Sequence, residues 1–286
     1  MKQVISILLL WIGVLSCQSE DINIYTLHAK DESKAIDGWK LIWSEEFNQE
    51  GPQFDADKWI FEPKGNSPWN KYLTGSTEQA YVQNGRLILR AEKKDGQYMT
   101  GGISTRGKAG FKYGKLEICA KFNSFQGGWQ AIWLLPVQRQ YPNPPGANEY
   151  GGEIDIMEMG QENGIINGTS ETYLNTAIHY GTDYESGHRQ EYHADNVSQS
   201  LQDGKYHTYL LEWNENSLTV SIDGTKFYTF DISKVSGRYE YFHHNFYILF
   251  NLAVGGSFTG ITDVNAITAL KDGEKVNMYI DWIKVY

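Results

Sequence analysis

Three carboxylates fall within the short run Gly152-Glu153-Ile154-Asp155-Ile156-Met157-Glu158. Ile154, Ile156 and Met157 are interleaved with them, and alternation of this kind reads as a β-strand with one buried and one polar face. On an ideal strand, positions 153, 155 and 157 share a face and Glu158 points the other way. One extra residue at Ile156-Met157, a β-bulge, brings Glu158 back beside the other two acids. Two glutamates then flank an aspartate on one surface. Paired carboxyls across a sugar acetal are the minimal machinery of glycoside hydrolysis. Taken alone, the same acids also suit a solvated edge strand. The neighbouring segments tilt the balance. Trp129 and Trp133 stand four apart in a strand-like run, and His179 lies in Ala177-Ile178-His179-Tyr180-Gly181. Acids, tryptophans and a histidine in adjacent segments suit a sugar cleft better than a bare surface.

The elements that must position these residues are short and extended. Gly38 to Trp43 opens as a strand. Asn84-Gly85 precedes the period-two run Arg86 to Ala91. Strands are predicted over Tyr206 to Trp213 and Ser217 to Ile222. Asp223-Gly224 then turns into Lys226 to Phe230, a hairpin signature. Phe246 to Leu252 and Met278 to Tyr286 complete the series. No long amphipathic helix and no internal repeat interrupts it. Many short strands with glycine-rich turns indicate an all-β sandwich of two antiparallel sheets. Gln138 to Tyr150 carries Pro142, Pro144 and Pro145 and is expected to be a loop bordering the cleft.

The chain opens with Met1-Lys2-Gln3 and an apolar run from Val4 to Val14, too short to span a bilayer and consistent with a signal peptide over 1–16. Ser16-Cys17 after that run resembles a bacterial lipoprotein signal, with Cys17 the lipidated residue. Residues 17–37 then form a tether, and one large domain fills 38–286. The expected location is the cell envelope, with the lipid held in the outer membrane and the domain exposed at the surface. Cys119 is the remaining thiol, so neither a disulfide framework nor a cysteine zinc cluster can form. It reads as a small buried hydrophobe. A net charge of −10 excludes a nucleic-acid partner, which needs a basic footprint. Aromatic residues make up 14% of the chain, enough to fill a sandwich core and still stack on sugar rings. A monomer is expected.

The ordered motifs carry a resemblance. Trp43-Ser44-Glu45-Glu46-Phe47, Phe111 to Glu117, the run Gly152 to Glu158, Asn251-Leu252-Ala253-Val254-Gly255-Gly256 and Tyr279 to Tyr286 together resemble glycoside hydrolase family 16, laminarinase-like group. The resemblance implies a β-jelly roll with a concave substrate cleft and an endo-acting, retaining mechanism without a cofactor. It makes Glu153 the nucleophile and Glu158 the general acid/base, with Asp155 between them. Trp129 and Trp133 would floor the cleft, and His179 would lie close to the acid/base. Core packing of both tryptophans and a structural histidine are the plainer alternatives. The family also implies a structural calcium, for which Glu46 and Asp281 match ligand positions.

One departure bears on substrate. Glucanases of this group carry Arg where this chain has Gly102, just before Ile103. An Arg supplies directed donors to sugar hydroxyls. Its loss predicts poor hydrolysis of laminarin relative to the best substrate, and a glycine is expected to open space there. The polymer expected is a β-1,3/1,4-glucan or the galactosyl linkages of host mucin O-glycans and poly-N-acetyllactosamine. Two other functions stay open at this stage: a glycan-binding protein without turnover, and a transglycosylase. The pair of glutamates favours the enzyme over the binder.

Overall fold

In the computed structural model, the described residues are 27–28, 39–137, 152–181, 189–235 and 241–286. They form, in chain order, β1 (Leu27–His28), β2 (Trp43–Glu45), β3 (Ile60–Phe61), β4 (Ala80–Val82), β5 (Leu87–Lys94), β6 (Gln97–Thr100), β7 (Gly102–Ser104), β8 (Phe111–Lys112) and β9 (Gly114–Phe122). There follow β10 (Gly128–Pro136), β11 (Glu153–Met159), the short helix α1 (Glu162–Asn167), β12 (Tyr173–Tyr180) and β13 (Arg189–Asn196). The last are β14 (His207–Trp213), β15 (Ser217–Ile222), β16 (Thr225–Asp231), β17 (Phe246–Val254) and β18 (Lys275–Val285).

Two sheets result. The front sheet has the order β1-β8-β17-β10-β11-β12-β13, with β7 on β17 and β3 on β7. The back sheet has the order β16-β15-β14-β9-β18-β5-β4, with β2 on β18 and β6 on β5. Pairings are antiparallel except β1 with β8. The expected all-β sandwich is therefore present. Leu27–His28, inside the stretch expected as a tether, pairs with Phe111–Lys112, so strand pairing begins before residue 38. Cys17 and the Pro-rich stretch 138–150 lie outside the described residues.

Local chemistry explains the turns. Asn84 and Gly85 both take positive φ (55° and 69°), as do Asp223 and Gly224 (48° and 76°). Two successive left-handed residues make the hairpin turn whose twist matches the flanking strands, and Asn, Asp and Gly tolerate it best. Strand ends run longer than the sequence pattern suggests where a neighbour supplies a ladder. β17 reaches Val254 beside β10, and β18 starts at Lys275 beside β5.

Between the sheets, alternate residues interdigitate in one core that includes Trp59, Phe122, Tyr209, Trp213, Phe246 and Phe250. Cys119 is buried as expected, and burial pushes its thiol up to about 11. In the front sheet, β10 and β17 are covered on both sides. Ile132 and Leu134 point into the main core, while Ala131, Trp133 and Leu135 join Tyr247 and Leu249 in a second, separate apolar cluster with Trp69 and Val137. Residues buried on both faces explain why these two strands read as continuous apolar runs rather than alternating ones. The second cluster is the floor on which the acids sit.

Candidate active site

The acids meet through a bulge. On β11, Trp133 of β10 faces Asp155 and Ile132 faces Met157, which leaves Ile156 unpaired. On the other side Asp155 pairs with Ala177 and Glu158 with Asn175, so three residue steps on β11 match two on β12. Ile156 and Met157 both turn into the core. Thr176 fixes the irregular step: its Oγ1 donates to the Asp155 carbonyl at 2.7 Å. The bulge read from the sequence is thus where it was expected. Glu153, Asp155 and Glu158 share one face of the sheet and line one cleft of about 180 Å³ with Ser67, Trp69, Trp129, Ala131, Trp133 and Asn251.

Glu158 is buried and gripped at both oxygens. Trp129 Nε1 donates to Oε1 at 3.0 Å, and Asn175 Nδ2 donates to Oε2 at 2.7 Å. Burial is nevertheless the stronger influence, and with the neighbouring Asp155 charge it pushes the Glu158 carboxyl up to about 8. The two donors and His179 pull in the opposite direction. Burial also raises Asp155 to about 8. Glu153 is more open, with its side chain about 20% exposed. His179 Nε2 lies 3.0 Å from Asp155 and 3.9 Å from Glu153. The sequence reading put this histidine near Glu158. It pairs with Glu153 across the ladder, which sets it beside Asp155 and Glu153. Its charge also acts on Glu158, in keeping with a place near the acid/base.

The tryptophans divide in role. Trp129 stacks on Phe258 (centroids 4.8 Å apart, planes at 17°) and spends its N–H on Glu158. Trp133 is buried, donates to Asn251 Oδ1 at 2.7 Å and meets Trp69 edge-on. Both border the cleft, so packing and lining are combined in the same side chains.

Asn175, Asn251, Trp69 and Phe258 were not singled out as site residues from sequence. Asn175 and Asn251 each interrupt an otherwise apolar strand, which is a legible signal for a buried polar group with a specific partner. Asn251 Nδ2 is buried and has no hydrogen-bond partner.

One expectation needs correction. Gly102 does not open a pocket. It pairs with Asn251, and a Cβ placed on it would come within 3.0 Å of Leu73 Cδ2 and 3.3 Å of Asn251 Cβ. The apolar Leu73 already occupies that space. Glu46 and Asp281, the positions matched to calcium ligands, both lie among the described residues. Asp281 is taken up by the Arg86 guanidinium at 3.4 Å, and Glu46 is exposed. Among the described residues, the one group of acids and histidine close enough to hold a metal is Glu153, Asp155 and His179, within 4.8 Å of one another. A cation there would neutralise the very carboxylates needed for acetal chemistry, so that group is read as a proton-sharing cluster.

Comparison with known proteins places this geometry. The family model described as glycosyl hydrolases family 16 matches residues 68–284. The chain is 32% identical to glucan endo-1,3-beta-glucosidase A1 of Niallia circulans, over 93% of this chain and 40% of that one. It is 30% identical to keratan-sulfate endo-1,4-beta-galactosidase of Sphingobacterium multivorum, over 88% of this chain and 56% of that one. The chain thus spans about half the length of these two curated relatives. A Bacteroides ovatus mixed-linkage-glucan family 16 protein, solved with a G4G4G3G product, superposes with a TM-score of 0.75 at 45% identity, covering 86% of this chain and all of that one.

Proposed function

The chain belongs to glycosyl hydrolases family 16, and from that premise we propose that Glu153 and Glu158 are the catalytic pair of an endo-acting, retaining β-glycanase. Glu153, open to the cleft, attacks the anomeric carbon and forms a glycosyl-enzyme ester. Glu158 delivers its proton to the leaving oxygen as that bond breaks. It then takes a proton from the water that hydrolyses the ester. The observation that carries this reading is the state of Glu158. It is buried, raised to about 8 and oriented at both oxygens on the same face as Glu153. An acid near neutral pH must hold its proton, and burial pushes this carboxyl in that direction. Asp155, held by His179, shares the proton load between the two glutamates and keeps negative charge from accumulating beside Glu153.

The substrate proposed is a β-glucan containing 1,3 and 1,4 linkages. The 45% identity to the mixed-linkage-glucan protein supports it. Leu73 at Gly102 supports it further, because an apolar group there offers sugar hydroxyls no donor, and laminarin is expected to be a weaker substrate. The 30% identity to the keratan-sulfate enzyme keeps galactose-containing glycans as the second reading. The N-terminal pattern supports a lipid anchor through Cys17 at the outer surface of the envelope. Metabolic labelling with a fatty-acid probe, lost in Cys17→Ala, tests that part.

The catalytic assignment is tested with Glu153→Gln and Glu158→Ala on a panel of mixed-linkage glucan, laminarin, galactan and mucin O-glycans. Glu153→Gln should abolish turnover and keep the fold, since the amide preserves shape but cannot form the ester. Retention of activity within about tenfold of wild type, or 1.4 kcal/mol, would sink the assignment. Glu158→Ala should lose far more on polymers than on dinitrophenyl glycosides, whose leaving group needs no proton.

A further inference from the structure

Few large apolar or aromatic side chains of the described residues are exposed. Tyr192 is one of them, at 61%. Its place in the ladder is the informative part. Asp155 pairs with Ala177 on β12, and Ala177 pairs with Tyr192 on β13. Directly paired residues of an antiparallel sheet point to the same face. Tyr192 therefore stands on the catalytic face, in the same row as Trp133, Asp155 and Ala177, at the outer edge of the sheet. Two strand spacings put it about 10 Å from Asp155, a reach of about two sugar rings. Between them sits Ala177, the smallest side chain of the row, fully covered by its neighbours. Gln190 and Ala194 flank Tyr192 on the same face, paired with His179 and Asn175. One arm of a polymer bound across the sheet must leave the site over these residues.

We infer that Tyr192 is a distal stacking platform for a glycosyl ring of the substrate, placed on the β12–β13 side of the acids. This rests on the reading of Glu153, Asp155 and Glu158 as the reacting centre. The chemistry is that of a phenol ring under the apolar C–H face of a pyranose, with Gln190 beside it to engage ring hydroxyls. It makes the enzyme favour long chains over short ones.

The test is kcat/KM as a function of chain length for wild type, Tyr192→Ala, Tyr192→Phe and Tyr192→Trp. The substrates are β-1,3/1,4-glucan oligosaccharides from trisaccharide to octasaccharide, with the cleaved bond located by reducing-end labelling. Tyr192→Ala should lose about tenfold on the longest members, equivalent to about 1.4 kcal/mol, and nothing on the shortest. Phe and Trp should restore the loss, because the ring does the stacking. The cleavage position in Tyr192→Ala should drift, as register is no longer favoured. Equal loss at every length would assign Tyr192 a structural role and overturn the proposal, as would no loss at any length. If wild type cleaves another polymer of the panel instead, the same series is prepared from that polymer. The readout is length dependence, so an error in the substrate linkage is separable from an error about Tyr192. A fully active Glu153→Gln would instead show that the centre itself was misplaced.

Discussion

Glu158 combines a carboxyl pushed toward its protonated form with a hydrogen bond at each oxygen. Its two donors, Trp129 and Asn175, stabilise the ionised form, while burial disfavours it more strongly. Activity should therefore fall as pH rises through about 8, where Glu158 gives up its proton. Removing a donor to the anion removes a downward pull. In Trp129→Phe, which keeps the stack on Phe258, the alkaline limb of kcat/KM should move to higher pH. An unmoved limb, or one shifted to lower pH, would argue against Glu158 as the acid. Much of this was legible in advance, because spacing and residue type marked the three acids. The partners were not. Asn175 and Trp129 reach Glu158 from different strands, and only the register across β10, β11 and β12 brings them there. Gly102 was the opposite case: the missing side chain was visible, but the occupant of its space, Leu73, comes from a segment far upstream.

At the scale of the element, the bulge on β11 is the device that lets an irregular sequence present a regular face. Deleting Ile156 restores strict alternation, with Glu153, Asp155 and Glu158 still on the cleft side. Deleting both Ile156 and Met157 turns Glu158 toward the core. The single deletion should fold, at a cost of about 2–5 kcal/mol for the lost core side chain, and keep activity measurable above that of Glu153→Gln. The double deletion should not fold, because a carboxylate would enter the sandwich interior. Denaturant unfolding and polymer hydrolysis of the two variants decide it. A folded double deletion would show that the face assignment is wrong. The strands themselves were readable wherever a turn announced them. The Asp223-Gly224 hairpin appears as expected, with Ser217–Ile222 matched end to end. Short pieces such as β3 and β8 carry too few residues to show a period, so only their partners define them.

For the whole molecule, the acids that serve the site are a cost to the fold at alkaline pH. Asp155 and Glu158 have folded values near 8, above the unfolded values of about 4. Their contribution is fully present below about pH 4 and is lost as pH rises through about 8. Asp223, held below its usual range by His207 and Thr208, has the opposite sign: its contribution is present above about pH 4 and disappears on further acidification. The melting temperature should therefore climb from pH 8 toward 5 and fall below 4. In Asp155→Asn/Glu158→Gln the climb between 8 and 5 should flatten; an unchanged slope would mean that other groups set it. The sandwich class was legible from strand spacing and turns, since those are local. The order of strands was not, since it depends on which edges meet after collapse. That order has a temporal consequence. β18 is wedged between β5 and β9, two strands made long before it. Until β18 joins them, β5 and β9 each keep an unpaired edge, and such an edge is a template for the wrong partner. The seam that joins the two halves of the back sheet is therefore built from contacts of high sequence separation, the kind that slows folding.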